Sequence, residues 1–354
     1  MSAQAESVDA IIEASCTRLF KRYGALHQPF GARAASAGAG YDAAGWKEIE
    51  EAGLTLAMLD EERGGVGMRH AFDVARFAGA YAVPFPLCET MAANWLLAAA
   101  GLELPEGALT LAEQPLRLDQ GKGGRRLSGA ARAVPWARAC GVVALAVDEA
   151  QCHLVHCSPG QFSVTPAENI AAEPRDLCEF DLVVAPDRIA AVPLRLGPQP
   201  VLMLGAALRT AQIAGAARAA LNMTVEYAQE RRQFGRAIGT FQAVQQMMAA
   251  MATHTAAACV AGDLAVEGAV DGWHARAIAA AKTRAGEAAG EVASIAHQVF
   301  GAIGFTREHP LHTLTHRLWS WRDEFGDESA WGLMLGRHFV AAGGAALWSE
   351  LTAI

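Results

Sequence analysis

The chain has 354 residues, of which 52% are hydrophobic and 19% charged, so it has room for two or three domains and a sizeable core. Its net charge of −8 argues against nucleic acid or an anionic membrane as the main partner, and the basic cluster from Arg231 to Arg236 is too local to reverse that. Aromatic residues are only 7% while alanine and glycine abound, a composition that lets helices approach closely in a bundle.

Residues 1–107 read as an N-terminal helical domain. In "SVDAIIEASCTRLFKRYG" and "RHAFDVARFAGAYAV" the apolar positions recur at helical spacing, with Val74, Phe77, Ala78 and Tyr81 on one face. Breaks are expected at Gly38–Gly40 and Gly64–Gly67. The acids near the start of the chain are unlike a signal peptide. Apolar runs such as "LLAAAGL" fall well short of the roughly 18 residues that span a bilayer.

From 108 to 198 the texture changes to a middle β-domain. Short β-branched runs ("GVVALAVD", "CHLVHC", "FSVTP", "FDLVVAP") alternate there with Pro, Gly and Asp. Residues 199–354 are expected to form a C-terminal four-helix bundle. Its helices are placed at about 201–231, 242–267 and 272–300, with a last one after Asp327. The stripe Val244, Met247, Met248, Met251 is read as core, as is Val292, Ile295, Val299. The fold class is therefore α+β, mainly α. Seven cysteines (16, 88, 140, 152, 157, 178, 259) form a scattered, odd set without CxxC, which fits a reducing, cytoplasmic setting.

Metal ligation is the less favoured reading of the histidines. In "CHLVHC" strand alternation sends Cys152 and His156 to one face and His153 and Cys157 to the other, so four ligands cannot converge. His309, His312 and His316 stand at helical spacing without a companion HExxH, which suits a polar helix face. GxSxG, P-loop and GxGxxG motifs are absent from the sequence. In "YAQERRQFGRAIGTFQ", Arg231 and Arg232 close a long helix. They could bind a diphosphate through charge-assisted bonds or merely offset the helix dipole, and the residues alone leave both open. In "HQVFGAIGF", Gly301 and Gly304 could admit a ligand to the backbone, although a glycine C-cap is the simpler reading.

Together these segments resemble the acyl-CoA dehydrogenase family over nearly the whole chain. "ERRQFGRAIGTFQ" is similar to the family's Arg-x-x-Phe-Gly segment. "QVFGAIGF" is similar to its Gln-x-x-Gly-Gly-x-Gly signature, with Ala302 in place of the second glycine. "REHPLHTLTHRL" and "WKEIEEAGLTLAMLDEERGGVG" match further runs. The resemblance implies a dimer of dimers, bound FAD and α,β-desaturation of an acyl-CoA thioester. It also implies an acceptor such as electron-transfer flavoprotein. By the same resemblance Arg231, Gln233 and Phe234 contact the diphosphate region of a neighbouring subunit's FAD, and Gln242, Gln298, Gly301 and Ala302 line its adenosine side.

Two departures from the family pattern bear on activity. The family's own flavin-embracing segment corresponds to "LAEQPLRLDQGKGG", where only Glu113 and Pro115 echo it. The family's catalytic carboxylate, counted from Pro310, falls on Phe325, and the alternative position on the first bundle helix falls near Gly205. Neither residue can accept a proton. The chain therefore resembles the non-catalytic partner in heteromeric dehydrogenases of steroid side-chain degradation. The alternatives are a self-sufficient enzyme in which Glu324, one residue early, is the base, or another flavin-dependent activity on the scaffold. In "WRDEFGDE", Gly326 is expected to stop one helix, Asp327 to cap the next and Asp323 to face solvent.

Overall fold

The apolar spacing of Ile12, Cys16, Leu19 and Phe20 produces helix α1 (Val8–Tyr23), whose inner face is buried. In the computed structural model the described residues are 8–26, 41–121, 123–149 and 151–352. The acidic N-terminal residues and the break expected at Gly38–Gly40 lie outside them. Asp42 caps α2 (Ala43–Glu51) by accepting from the Ala44 and Gly45 amides. Helices α3 (Met68–Ala80) and α4 (Leu87–Ala99) follow. The chain divides into two compact units. One contains Met1–Phe30, Ala75–Val83 and Ala206–Ile354; the other contains Gly31–Val74 and Pro84–Gly205.

The second unit is built on a seven-stranded sheet in the order β5-β6-β2-β1-β3-β4-β7. Its strands are β1 (Leu109–Gly121), β2 (Gly124–Pro135), β3 (Gly141–Val147), β4 (Cys152–Cys157), β5 (Ser163–Thr165), β6 (Arg175–Val184) and β7 (Ile189–Ala191). β1 and β3 are parallel and the other pairs antiparallel. Leu116, Leu127, Val142, Val155 and Phe180 form part of one core on this sheet. The Thr90 hydroxyl fastens α4 to the sheet, accepting from the Leu109 amide at 3.0 Å and donating to its carbonyl at 2.9 Å. The four strand segments singled out in the sequence are present. The long β1–β2 ribbon is an addition, because its many Arg, Gln and Gly residues hide the alternation.

In the first unit α5 (Pro200–Glu230) leads to a small hairpin, β8 (Arg232–Gln233) and β9 (Arg236–Ala237). Helices α6 (Gln242–Val270), α7 (Ala275–Phe300), α8 (Leu311–Asp323), α9 (Glu328–Ala342) and the short α10 (Leu347–Thr352) complete it. α7 packs against α6, α8 and α9. The four helices expected from periodicity are all present. α8 intervenes before the last because the segment after Pro310 carries its own buried stripe, Leu311, Leu314 and Leu318.

The methionine stripe on α6 needs correction. Met251 is buried, but Val244, Met247 and Met248 are only half-buried. The transmembrane expectation also shifts. α5 and α6 are each long and apolar enough to cross a membrane, with mean hydropathy of 1.2 over 18 residues, and 94% of the α5 window is buried in the fold.

α3 and α5 touch through glycine. A Cβ on Gly79 would lie 2.1 Å from the Gln212 carbonyl oxygen, and one on Gly215 would lie 2.0 Å from that of Arg76. Backbone cannot yield as a side-chain tip can, so Gly215→Ala should cost roughly 1–3 kcal/mol or more in urea unfolding. Gly336 in α9 has open space around it. There the same change should be neutral or stabilise by up to about 1 kcal/mol through helix propensity.

Candidate functional site

The α8–α9 joint holds Glu324 and Phe325, the two residues at issue for the catalytic base. α8 ends at Asp323, and Glu324 leaves the helix with φ −74° and ψ 140°. Phe325 then takes φ 55° and Gly326 φ 85° before Asp327 caps α9 by accepting from the Ala330 amide at 2.8 Å. Asp323 is exposed, as expected. A left-handed backbone costs a residue with a Cβ about 1–2 kcal/mol, so the surroundings must impose it on Phe325. The Trp331 indole donates to the Phe325 carbonyl at 3.0 Å. Gly326 is confined both by its φ and by Trp331, whose Nε1 would lie 2.6 Å from an added Cβ.

Lys282 of α7 supplies the other two ties. Its Nζ donates to the carbonyls of Arg322 at 2.6 Å and Gly326 at 2.8 Å. The side chain is buried, and that burial lowers its pKa to about 8, while Glu328 and Glu324 oppose the shift and Arg209 adds to it. A neutral amine carries two N–H groups, enough for both carbonyls.

Above this joint lies a buried cation. Arg209 of α5 is 2% exposed, and its Nε and Nη2 both donate to Glu324 Oε2 at 2.7 Å. Its Nη1 donates to Gln212 Oε1. The guanidinium carbon sits 5.9 Å from the Trp321 ring centroid and 5.5 Å from that of Phe325. Glu324, the candidate base, is therefore engaged with Arg209 through Oε2. Arg209 also stands one helical turn beyond Gly205. Sequence reading missed Arg209, Gln212 and Lys282. The available signal was a cation set among alanines in each helix, but Arg218 and Arg284 share that setting, and Glu324 is 115 residues from Arg209 with nothing local to link them.

The seven cofactor candidates gather elsewhere, at one end of the first unit. Tyr227, one turn before Arg231, stacks on Phe300 beside Gly301 with ring centroids 4.1 Å apart. The β8–β9 hairpin pairs Arg232 with Ala237 and Gln233 with Arg236. Its turn residues Phe234 and Gly235 have φ 52° and 81°, the pattern of a type I′ turn, which favours Asn-Gly over Phe-Gly. Phe234 is 91% exposed, and its ring meets Phe241 edge-on at 6.1 Å just before Gln242 opens α6. Arg231, Gln233, Gln242, Gln298, Gly301 and Ala302 are exposed as well.

This set fits a flavin dinucleotide held from outside the chain: arginines for a diphosphate, amides for a polar ring, and an open backbone at Gly301, whose φ is 65°. The segment expected to embrace the chain's own flavin fits less well. Residues 111–121 run within β1, whose register with β3 shifts between Ala112 and Leu116, and Gly121 pairs directly with Gly124 across the turn. Both sides of that turn are strand, without a glycine-serine loop. The two histidines of β4 part as alternation requires. His153 Nε2 lies 2.8 Å from Asp148, while His156 Nδ1 lies 2.6 Å from Arg188.

Helices, a middle sheet and a helical bundle in this order define a dehydrogenase-type scaffold. The acyl-CoA dehydrogenase C-terminal domain family matches residues 199–321. The acyl-CoA dehydrogenase IpdE2 of Mycobacterium tuberculosis is 32% identical over 293 residues, covering 80% of this chain and 83% of that one. Two further curated relatives are matched over only 22% and 25% of their own length. The ChsE4-ChsE5 complex from M. tuberculosis superposes with TM-score 0.83 at 22% identity, over 96% of this chain and 99% of the other. The Tcur3481-Tcur3483 steroid ACAD, in a variant form, gives 0.81 at 25% identity over 98% and 99%. The chain belongs to the acyl-CoA dehydrogenase family.

Removing one member of a buried ion pair strands the other. Arg209→Met should therefore cost about 3–5 kcal/mol in urea unfolding, and adding Glu324→Leu should recover most of that loss. Lys282 generates a pH dependence. Its folded pKa of about 8 lies below the ordinary 10.5, so its contribution is full above 10.5 and is lost as pH falls through 8. Wild-type stability relative to Lys282→Met should rise across that window by on the order of 3 kcal/mol, read from paired denaturation curves.

Proposed function

We propose that this chain is the base-lacking subunit of a heteromeric, FAD-dependent acyl-CoA dehydrogenase that desaturates an acyl-CoA thioester between its α and β carbons. The observation that carries this reading is the α8–α9 joint. Phe325 is 4% exposed where the family resemblance places a carboxylate, and the adjacent Glu324 is bound to buried Arg209. The partner, a second acyl-CoA dehydrogenase subunit, supplies the base that takes the α-proton and the cradle for the flavin ring. Bound FAD accepts the β-hydride and passes electrons to an electron-transfer flavoprotein or similar acceptor. This chain's role is to hold and orient the partner's FAD: Arg231 and Gln233 at the diphosphate, Phe234 beside it, and Gln242, Gln298, Gly301 and Ala302 along the adenosine.

A steroid-derived or other lipid acyl group, a cytoplasmic location and a four-subunit assembly complete the proposal. The first is supported by the Tcur3481-Tcur3483 steroid ACAD among the structural neighbours, and a second kind of subunit by the two-protein ChsE4-ChsE5 complex. The second reading makes the chain a self-sufficient dehydrogenase, or another flavin enzyme, with Glu324 as base. It is favoured by one observation, the placement of that carboxylate only 12% exposed beside the expected position.

A visible spectrum separates the two. Purified alone, the chain should be colourless and should not bleach added flavin when acyl-CoA is supplied. Co-expressed with a second family member it should carry FAD at less than one per chain, and Glu324→Gln in that complex should leave desaturation unchanged. Stoichiometric FAD in the isolated chain, bleached by acyl-CoA and dependent on Glu324, would establish the second reading instead.

A further inference from the structure

A cleft of about 280 Å³ opens in the second unit, beside α2, the α4–β1 connection and the ends of β3 and β4. One wall is aromatic. Tyr41 and Trp46 have ring centroids 5.6 Å apart, and Phe85 packs on both at 6.1 and 6.3 Å, which limits their freedom to swing. Trp46 is 5% exposed, yet its Nε1 has no hydrogen-bond partner among the described residues. A buried donor left unmade is costly and calls for an acceptor.

His156 provides a second donor. Arg188 Nη1 lies 2.6 Å from its Nδ1, and since a guanidinium can only donate, Nδ1 accepts and the ring hydrogen sits on Nε2. Burial, aided by Arg188, lowers the His156 pKa to about 4, so the ring is neutral. Nε2 points along Gly141, where an added Cβ would stand 3.0 Å away, and it has no acceptor among the described residues. Burial also keeps the Tyr41 hydroxyl protonated, with Cys140 and Glu50 adding to the effect. Tyr41 and His156 thus bring neutral donors to the lining of one cleft, and Trp46 brings a third that is unpaired among the described residues. Glu50 and Glu106 line it too and supply only acceptors and negative charge.

That combination selects among ligands. Carboxylates in the lining, on a chain of net charge −8, disfavour an anion. The indole and imidazole N–H groups require acceptors, the carboxylates require donors, and the aromatic wall suits a flat ring. The volume is at the lower edge of the roughly 300–1,000 Å³ of small-molecule sites, enough for one ring system. We propose that this cleft binds an uncharged planar heterocycle carrying a carbonyl or ring-nitrogen acceptor beside an amide or amine N–H, of nicotinamide or nucleobase type. The residues involved have no part in the flavin or base assignments above, so this site stands or falls separately from them.

Calorimetric titration of the full chain, or of its complex with the partner subunit, with nicotinamide and with adenosine tests the site. At least one should saturate with a Kd on the order of 1 mM or tighter, which ligands of this size reach at modest efficiency. Nicotinate, which replaces the amide by a carboxylate, should bind at least tenfold more weakly than nicotinamide. Trp46→Phe keeps the ring and removes the N–H. It should weaken binding about tenfold while leaving Tm unchanged or higher, because an unpaired buried donor is gone. If that variant does not fold, Glu106→Gln serves instead, since it should narrow the preference for nicotinamide over nicotinate. Absence of saturation with both probes, equal binding of nicotinate, or tight binding retained in Trp46→Phe would each overturn the proposal.

Discussion

The joint between α8 and α9 depends on where a single guanidinium finds its counter-charge. Arg209 is too deeply buried to be solvated by water, so it takes Glu324, Gln212 and the faces of two aromatic rings. Removing a charge from water carries a cost that only close partners offset, which makes the pair exacting about position. Glu324 is turned inward as a result, Phe325 is laid against the cation, and the backbone between them is forced into a left-handed turn. Lys282 and Trp331 then hold the carbonyls that such a turn leaves without helical partners.

The end that carries the β8–β9 hairpin follows a different physical logic. There the chain exposes what folding would ordinarily hide: a phenylalanine ring at a hairpin tip and three arginines within six residues. Phe234 carries backbone strain, and its ring, edge-on to Phe241, stays largely exposed. The inner joint is closed by its own side chains, whereas the outer end is open.

The sequence was informative wherever a pattern is local. Helical periodicity located α1, α3, α5, α6, α7 and α9 within a few residues, and Gly326 and Asp327 announced the turn and the cap that the structure contains. Strand alternation separated His153 from His156 correctly. It was silent where the determining contact spans the chain. Nothing near Glu324 points to Arg209, and nothing near Lys282 points to two carbonyls more than forty residues ahead or at forty residues' distance. The methionine stripe misled for a related reason. Spacing reports that a face is apolar, but whether the rest of the fold covers that face is decided by elements distant in sequence.

The arrangement around Arg209 bears on how easily such a joint could change its chemistry over evolutionary time. A glutamate introduced at position 325 would meet a guanidinium already shared between Glu324 and Gln212. It would also inherit a left-handed backbone, and the Phe325 ring beside Trp321 and Arg209 would be lost. A free base at that position therefore has to compete with Glu324 for Arg209, and losing either member of that pair leaves the other buried alone. A substitution coupled to a buried ion pair follows a narrower path than an isolated one, so the pair acts as a ratchet on the history of the site.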